Sequence, residues 1–325
     1  MMPPMKRIAF LFARFSGLNA FLRYLDRNSL TIVLYHGVAP QSSRGIYNYR
    51  GKFIDPAAFE WQIQYLSKHY AIIGLDDAFE LWRQKRLPRR SLAITFDDGY
   101  ENNYTYAYPI LRKYGLPATM FITTDFVLHQ SPLWVDRLEY AMGKGPGTRA
   151  ERVARDAKLR AALKRTAPEN VRRELGRIEK PGSFPDFSDD RSVYAPFTQE
   201  QIKEMQANKI AIGAHTMTHP ILSMLSPAEA QKEIEGSRDE LTAQFGPLSR
   251  LFAYPNGQPD DWNGATEQII QEAGFLGALT TIEGANDESV DPLRLRRVTL
   301  DGTNDMTVFE AVMSGFRAKM RGLLQ

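Results

Sequence analysis

The sequence of 325 residues contains no cysteine. Disulfide bonds, thiolate-bound zinc and a cysteine nucleophile are therefore excluded. A strong charge of one sign is also missing, because 41 basic residues face 38 acidic ones and leave a net charge of +3. So small an excess does not indicate binding to nucleic acid. The sequence also has no glycine-rich phosphate loop and no nucleophile elbow.

Long hydrophobic runs are absent as well, since none approaches the roughly 20 apolar residues that span a bilayer. Residues 1–29 are predicted to form a basic amphipathic helix. Its apolar positions are Phe10, Leu11, Phe15, Leu18, Leu22 and Leu25, and its basic ones are Lys6, Arg7, Arg14 and Arg23. Arg14 interrupts the apolar run and no small-residue cleavage site follows, so a signal peptide is not indicated.

This helix has two expected roles. Packing on the body of the protein is the ordinary role of an amphipathic helix. Peripheral contact with an anionic membrane surface is the alternative. Without a clear signal peptide, we expect a cytoplasmic protein that associates with the membrane in the second case.

Beyond residue 29, short apolar segments alternate with amphipathic ones. The predicted strands are 30–35, 92–96, 118–123, 210–213, 251–254 and 276–281, and the predicted helices are 56–69, 77–84, 102–114, 198–208, 226–245 and 261–273. Such alternation predicts an α/β fold around a parallel sheet, either open or closed into a barrel. In both forms the chemistry is expected at the carboxyl ends of the strands.

One segment, residues 143–196, interrupts the alternation. It begins with GKGPG, is rich in arginine, lysine and alanine, and ends in an acidic stretch that contains proline. We interpret it as a helical insertion with a mobile end within a single domain of residues 30–325, because it has few core residues. It is predicted to be either a solvated excursion or a wall of the substrate site.

Two polar motifs follow predicted strands. TFDDG carries Asp97 and Asp98, and HTMTH carries His215 and His219 at a spacing of four. Two imidazoles and one carboxylate would form a three-ligand site for Zn²⁺ or a similar ion, with positions left for water and substrate. The second carboxylate would then take a proton from a water whose pKa the metal lowers. A bound cation also explains why two carboxylates stand together at the end of a buried strand.

These motifs resemble those of the polysaccharide deacetylases with a NodB homology domain, carbohydrate esterase family 4, over roughly residues 30–300 without the insertion. The resemblance implies a distorted (β/α) barrel and metal-dependent removal of N-acetyl, sometimes O-acetyl, groups from sugar polymers. By position it makes Asp97 the general base and Asp98, His215 and His219 the metal ligands. It implies a divalent metal, with zinc expected first and cobalt, manganese or nickel as alternatives.

The family's third motif is met in part by LFAYPNG, residues 251–257. The resemblance assigns the turn at Pro255 and Asn256 to the substrate, with the Asn256 backbone N–H holding the oxyanion. Asn256 replaces the usual aromatic residue, and Ala253 stands where the family often has an arginine that pairs with the base. Three candidates could supply this cation, and the sequence leaves the choice open: Arg294, Arg296 and Arg297.

No histidine follows His219, so the family's usual late histidine has no counterpart. His36, in VLYHGVAP, directly follows a predicted strand. This position resembles the circularly permuted branch that includes deacetylases of poly-N-acetylglucosamine, and it implies that His36 is the general acid. His69 and His129 are expected to form only local contacts.

Substrate contacts are predicted for Tyr100, Trp134 and Asp136. Aromatic rings stack on sugars and a carboxylate binds hydroxyl groups. Trp134 and Asp136 are placed near a predicted strand end, and packing in the core is the alternative role for Trp134. The expected partner is an N-acetylated oligo- or polysaccharide, with a lipid-linked form as one alternative. Two other functions stay open: a different amide hydrolase on the same scaffold, and a catalytically silent glycan-binding or assembly protein, which the missing arginine would allow.

Overall fold

The computed structural model describes residues 4–40, 46–179 and 194–322. Its central feature is a curled, parallel sheet. The strands are β1 Thr31–Tyr35, β2 Gly37–Val38, β3 Phe53–Ile54, β4 Ala71–Ile72, β5 Ser91–Phe96, β6 Ala118–Ile122, β7 Ile210–Ala214, β8 Leu251–Ala253, β9 Gly277–Leu279 and β10 Val298–Thr299. The main sheet has the order β10–β1–β5–β6–β7–β8–β9, with β4 also beside β5, while β2 and β3 form a separate pair.

The two ends of the sheet approach each other through the segment before β10. Leu295 forms a parallel bridge with Leu279 of β9, and β10 pairs with β1 through Val298 and Val33. The distorted (β/α) barrel predicted from the sequence is therefore confirmed. All six predicted strands are present, within three residues at each end. The four strands that were not predicted have two residues each, too few to produce a recognisable pattern.

Helices surround the sheet, and the six predicted segments are helical. The α-helices are α1 Pro4–Phe15, α2 Leu18–Leu25, α3 Pro56–His69, α4 Leu75–Arg83, α5 Tyr108–Lys113, α6 Thr124–Leu128, α7 Trp134–Lys144, α8 Arg149–Leu163, α9 Pro168–Ile178, α10 Gln199–Gln206, α11 Pro227–Phe245, α12 Gly264–Glu272, α13 Met306–Met313 and α14 Phe316–Gly322. The predicted helix 102–114 differs, because a π-helical turn, Asn103–Ala107, precedes α5. Pro109 follows this turn and has no N–H to donate to it.

The amino-terminal segment forms two helices, so the prediction of a single helix is wrong. Gly17 separates α1 from α2 with a φ of 80°, a left-handed conformation that glycine adopts without strain. Only part of the predicted apolar face packs on the protein. Phe10 and Leu22 are buried, whereas Phe15 remains 79% exposed.

The excursion around the predicted insertion consists of α7, α8 and α9. They enclose a small core of their own, formed by Leu138, Leu163, Val171 and Leu175. Trp134 is the first residue of α7, so its predicted place near a strand end is wrong. Residues 180–193, which include the end predicted to be mobile, lie outside the described residues, and the division at residue 29 stays a prediction.

The parallel sheet brings the polar motifs to one edge. His36, Asp97 and His215 each follow directly on a strand, β1, β5 and β7 respectively. Because these strands are parallel, their carboxyl ends lie on the same side of the sheet. Among the described helices, none combines the length and the apolar character needed to cross a membrane.

Candidate active site

Asp97 is held at the end of β5 by a buried arginine. Its carboxylate is 2% exposed and accepts two hydrogen bonds of 2.7 Å from the guanidinium of Arg297, which is fully buried. Burial alone would raise the pKa of Asp97, but the charge and hydrogen bonds of Arg297 outweigh it and leave this pKa below its usual value. Asp97 is therefore ionised throughout the physiological range.

Arg297 is the cation that the sequence left undetermined, and the other two candidates are wrong. Arg294 pairs instead with Glu267, at 2.6 Å, and its side chain is 55% exposed. Arg296 is oriented differently, and its side chain lies over Gly284. Successive side chains of an extended segment point to opposite sides, so Arg297 faces inward where Arg296 cannot. Arg297 thus provides the positive charge that Ala253 cannot provide.

Asp98, His215 and His219 form a buried triad. The Asp98 Oδ1 atom lies 3.6 Å from His215 Nε2 and 3.4 Å from His219 Nε2. Within the described part of the chain, this Oδ1 atom has no hydrogen-bond partner. One ligand atom from each residue lies within 4.8 Å of the others. Two ligands about 2.1 Å from a tetrahedral ion are themselves about 3.4 Å apart, so the triad fits a divalent metal such as zinc.

Hydrogen bonds orient the His215 ring and the backbone of His219. His215 Nδ1 lies 2.8 Å from the carbonyl oxygen of Ala253, a contact that places the proton on Nδ1 and leaves the Nε2 lone pair free. His219 donates its backbone N–H to the Thr216 hydroxyl at 3.0 Å, in a loop where both residues have positive φ. Burial lowers the pKa of His219 to about 3, even though Asp98 acts in the opposite direction. Its ring is therefore neutral, as a metal ligand must be.

Lys52 is a site residue that the sequence did not reveal. Its Nζ atom lies 3.0 Å from Asp98 Oδ2 and 3.3 Å from Asp136 Oδ1, and it contacts the Tyr100 hydroxyl. Burial would raise the pKa of Asp98, but the charge of Lys52 holds this pKa well below its usual value. No motif surrounds Lys52, so only its position in space reveals it.

Tyr100 and Asp136 are buried in this network, which corrects their predicted role as direct sugar contacts. Tyr100 is 0% exposed and Asp136 4% exposed. The tyrosine hydroxyl donates to Asp136, and its ring packs edge-on against Phe53. A stacking platform must expose at least one ring face to solvent, and Tyr100 exposes none, so its observed role is to connect Asp136 with Lys52.

Trp134 joins the insertion to the triad. Its indole Nε1–H donates to the backbone carbonyl of His219 at 3.2 Å, and its half-buried ring packs on the small core of the insertion. The platform role predicted for Trp134 stays a prediction. The contact shows that α7 supports the loop carrying His219.

His36 forms a dyad with Asp301, which follows β10. Asp301 accepts the His36 backbone N–H at 3.0 Å and lies 2.6 Å from ring Nδ1. Burial lowers the pKa of His36, but the charge and hydrogen bond of Asp301, with smaller contributions from Asp98 and Asp97, raise it overall. A quarter of the His36 side chain is exposed. Asp301 could not be predicted from the sequence, because no motif links it to His36.

The turn of the third motif lies beside the triad. Asn256 has a φ of 62°, and its side chain contacts Lys164 of the insertion and Asp261. Its backbone N–H has no acceptor among the described residues. Gly257 is required here, because a Cβ would lie 2.8 Å from the backbone nitrogen of Thr281. Pro255 closes the turn by accepting the Gly257 N–H at 2.7 Å.

Comparisons with known proteins identify one relative that matches most of the chain and others that match a part of it. A Bacillus subtilis (strain 168) protein named as a polysaccharide deacetylase, YxkH, is 22% identical over 301 residues, which is 92% of this chain and 81% of that protein. The poly-beta-1,6-N-acetyl-D-glucosamine N-deacetylase of Staphylococcus aureus (strain MSSA476) is 42% identical over 87 residues. That match covers 26% of this chain and only 29% of the relative.

Solved structures share the fold. IcaB from Ammonifex degensii superposes with a TM-score of 0.59 at 20% identity, over 88% of this chain and 97% of that one. The Streptococcus pyogenes deacetylase PplD, solved in complex with acetate, gives a TM-score of 0.58 at 22% identity over 84% and 93% of the two chains. The polysaccharide deacetylase family model matches residues 84–278, more than half of the chain. By that match, the chain belongs to the polysaccharide deacetylase family.

Proposed function

We propose that this protein is a divalent-metal-dependent deacetylase that hydrolyses the acetamide of N-acetylhexosamine units in an oligo- or polysaccharide. One observation carries the proposal above all. An ionised carboxylate, Asp97, lies next in the chain to a buried Asp98–His215–His219 triad whose free carboxylate oxygen faces two imidazole nitrogens. Hydrolysis of an amide needs a general base close to an electrophile, and a metal ion held by the triad would be that electrophile.

The triad would hold the metal through Asp98 Oδ1 and the Nε2 atoms of both histidines. When bound, the ion would supply a Lewis acid that polarises the acetamide carbonyl and lowers the pKa of water. The nitrogen and oxygen ligands suit zinc, with cobalt, manganese or nickel as alternatives. Nearby, the free N–H of Asn256 would donate to the carbonyl oxygen as negative charge develops on it.

Asp97 would act as the general base. Arg297 occupies one direction at each of its oxygens, which leaves further lone pairs to accept a proton from the attacking water. The same ion pair fixes the plane of the carboxylate, so the base does not rotate away from the water. Arg297 would therefore hold Asp97 in position, while its charge makes Asp97 a weaker base by lowering the pKa of its carboxyl group.

His36 would be the general acid that protonates the departing amine. Its pairing with Asp301 raises its pKa, which keeps the imidazolium form available near neutral pH. Asp301 also fixes Nδ1, so the proton to be donated would be on Nε2. The products are free acetate and a sugar amine.

For the substrate, we propose a glycan of the poly-N-acetylglucosamine type, because a relative with that activity matches part of the chain. Acetate release should be measured across N-acetylated oligosaccharides of different linkage, with O-acetylated sugars for comparison. We expect acetate from N-acetylhexosamine oligomers, loss of activity after chelation, and recovery on adding zinc or cobalt. Full activity in the chelated protein, or hydrolysis of O-acetyl groups alone, would contradict the proposal.

A further inference from the structure

The two amino-terminal helices expose an unusual number of large apolar side chains. We call this set the α1–α2 face: Ile8, Leu11, Phe12, Phe15, Phe21, Tyr24 and Leu25, each between 37% and 79% exposed. Elsewhere in the described residues, only Met224 and Leu276 are large, apolar and exposed to this degree. An apolar patch of this kind marks a binding surface.

The exposed residues follow helical spacing. Ile8, Leu11, Phe12 and Phe15 form one stripe along α1, on a side different from Phe10, which packs against Phe316 of α14. Helix α1 thus has one apolar side that packs on the protein and a second apolar side that is exposed to solvent. The folding of the protein does not explain this exposed second side.

Charge indicates what covers the α1–α2 face. Neither helix contains an acidic residue, while together they carry four basic ones. Lys6 and Arg7 are exposed at the start of α1. Aromatic and aliphatic side chains beside basic ones are characteristic of helices that lie in the interface of an anionic bilayer.

A cationic cavity opens beside this face. It has a volume of about 200 Å³ and is lined by Ala20, Arg23, His69, Tyr70 and Arg90. Arg23 Nη1 is buried there, with no hydrogen-bond partner among the described residues. Burial, followed by the charges of Arg23, Lys68 and Arg90, lowers the pKa of His69, and the charge of Glu310 acts in the opposite direction.

The cavity suits a phosphate group. Two guanidinium groups provide planar, fixed donors of the kind that binds phosphate oxygens. Ala20 lines the cavity and lies one turn before the exposed Tyr24, so the opening borders the apolar face. A molecule that carries a phosphate next to acyl chains would occupy both features at once.

We propose that the α1–α2 face binds the surface of an anionic phospholipid bilayer, with one headgroup phosphate held between Arg23 and Arg90. Tyr70 and Arg90 directly precede β4 and β5, so the cavity lies at the amino ends of the strands. The active-site residues lie at the carboxyl ends. A bilayer bound at the cavity therefore leaves the active-site edge open to water, where a glycan chain can reach it.

The test is flotation of the full chain with vesicles of phosphatidylcholine alone and of phosphatidylcholine mixed with phosphatidylglycerol. We expect binding to the mixed vesicles and little to the neutral ones. Phe12→Ser with Phe15→Ser should lower the partition coefficient about tenfold or more. Arg23→Gln and Arg90→Gln should each lower it about fivefold, and added salt should reduce this difference.

Matched controls are Leu276→Ser and Arg173→Gln, which remove an exposed apolar and an exposed basic side chain elsewhere; they should bind as the unchanged protein does. Circular dichroism checks the fold of each variant. Because vesicle binding requires no turnover, an inactive enzyme would still bind, and the inference does not depend on the proposed function.

Three results would overturn the inference. The first is equal binding to neutral and anionic vesicles, or no binding to either. The second is a stable dimer in solution that Phe12→Ser and Phe15→Ser convert to a monomer, because a second copy would then cover the face. The third is saturable binding of inorganic phosphate that Arg23→Gln abolishes while vesicles do not bind, since the cavity would then serve a free anion.

Discussion

Asp97 and Asp98 are neighbours in the chain, yet they have different surroundings. Asp97 accepts both hydrogen bonds from Arg297, whereas Asp98 turns one oxygen toward Lys52 and the other toward two imidazoles. The positive φ of Asp98, 79°, produces this separation, because it turns the second carboxylate away from the strand direction. Two adjacent aspartates can thus have different proposed roles, Asp97 as the general base and Asp98 as a metal ligand.

Asp97→Asn should lower kcat by about 10²- to 10⁴-fold, because an amide cannot take a proton from water. Metal affinity should change little, since Asp97 is not part of the triad. Acetate release and calorimetric titration with zinc measure the two quantities. His215→Ala is the contrasting variant and should lose zinc binding as well. An Asp97→Asn enzyme of near-normal kcat would remove this residue from the scheme.

A second prediction concerns the pH profile. A general acid must be protonated, so activity should fall as the pH rises through the pKa of His36, which lies above its usual 6.5. Asp301→Asn removes the charge that raises this pKa. The alkaline limb of kcat should therefore move to lower pH, by about one unit or more.

Asp239→Asn is the matched control for this shift, because Asp239 is exposed and pairs with its neighbour Arg238. Its profile should coincide with that of the unchanged enzyme. An Asp301→Asn profile with the original alkaline limb would show that His36 is not the titrating acid.

At the scale of elements, α11 supports the loop that carries His215 and His219. Its residue Glu233 accepts the backbone N–H groups of Met217 and Thr218, both at 2.9 Å, and the Thr218 hydroxyl at 2.6 Å. The helix itself begins with a capping box between Ser226 and Glu229, as the sequence pattern indicates. A regular helix thereby fixes an irregular loop.

Glu233→Ala should lower zinc affinity by about tenfold or more, because outer contacts orient the ligands of a metal site. Competition with a chromophoric chelator measures this change without relying on turnover. Glu235→Ala removes a carboxylate from the same helix outside the loop contact and serves as the control. Equal affinities in the two variants would show that the loop holds its shape without Glu233.

At the scale of the whole molecule, the Asp97–Arg297 pair connects β5 with the segment that closes the barrel. Arg297 also donates to the Thr280 carbonyl, just after β9, at 2.8 Å. The buried side chain of Arg297 therefore contacts both Asp97 and Thr280, which lie far apart in the sequence. The active site and the closure of the sheet depend on the same arginine.

Arg297→Met should destabilise the protein by about 3–5 kcal/mol in urea unfolding, because it leaves the Asp97 carboxylate buried without a partner. Asp97→Asn with Arg297→Met should recover part of this loss, since no unpaired charge remains. If the double variant is as unstable as Arg297→Met alone, the cost comes from packing and not from the charge.

The same pair predicts a dependence of stability on pH. The pKa of Asp97 in the folded protein lies below its usual 3.8, so the unfolded chain binds protons first as the pH falls. The stabilisation is therefore complete above about pH 5 and is lost as the pH falls through the folded pKa. In Arg297→Met this contribution should be absent, and acid titration of the two proteins by circular dichroism compares them.

Much of this protein could be predicted from its sequence. Strand and helix periodicity, with capping boxes such as that of Thr198, gave the order of elements because these signals are local. TFDDG and HTMTH each follow a strand, so the parallel sheet necessarily brings Asp98, His215 and His219 to one edge. The principal residues of the site could therefore be predicted from the sequence alone.

Only the tertiary structure decided which distant residues complete the site. Arg294, Arg296 and Arg297 are indistinguishable in PLRLRRV, and the direction of each side chain depends on how that segment joins β9 to β1. Lys52 and Asp301 belong to no motif. Asp301 reaches His36 because β10 pairs with β1, and Lys52 reaches Asp98 from the residue before β3, which pairs with β2. A charged residue contributes to a site only if it lies close to it in space. For residues far apart in the chain, this proximity is set by how the strands of the closed barrel pair.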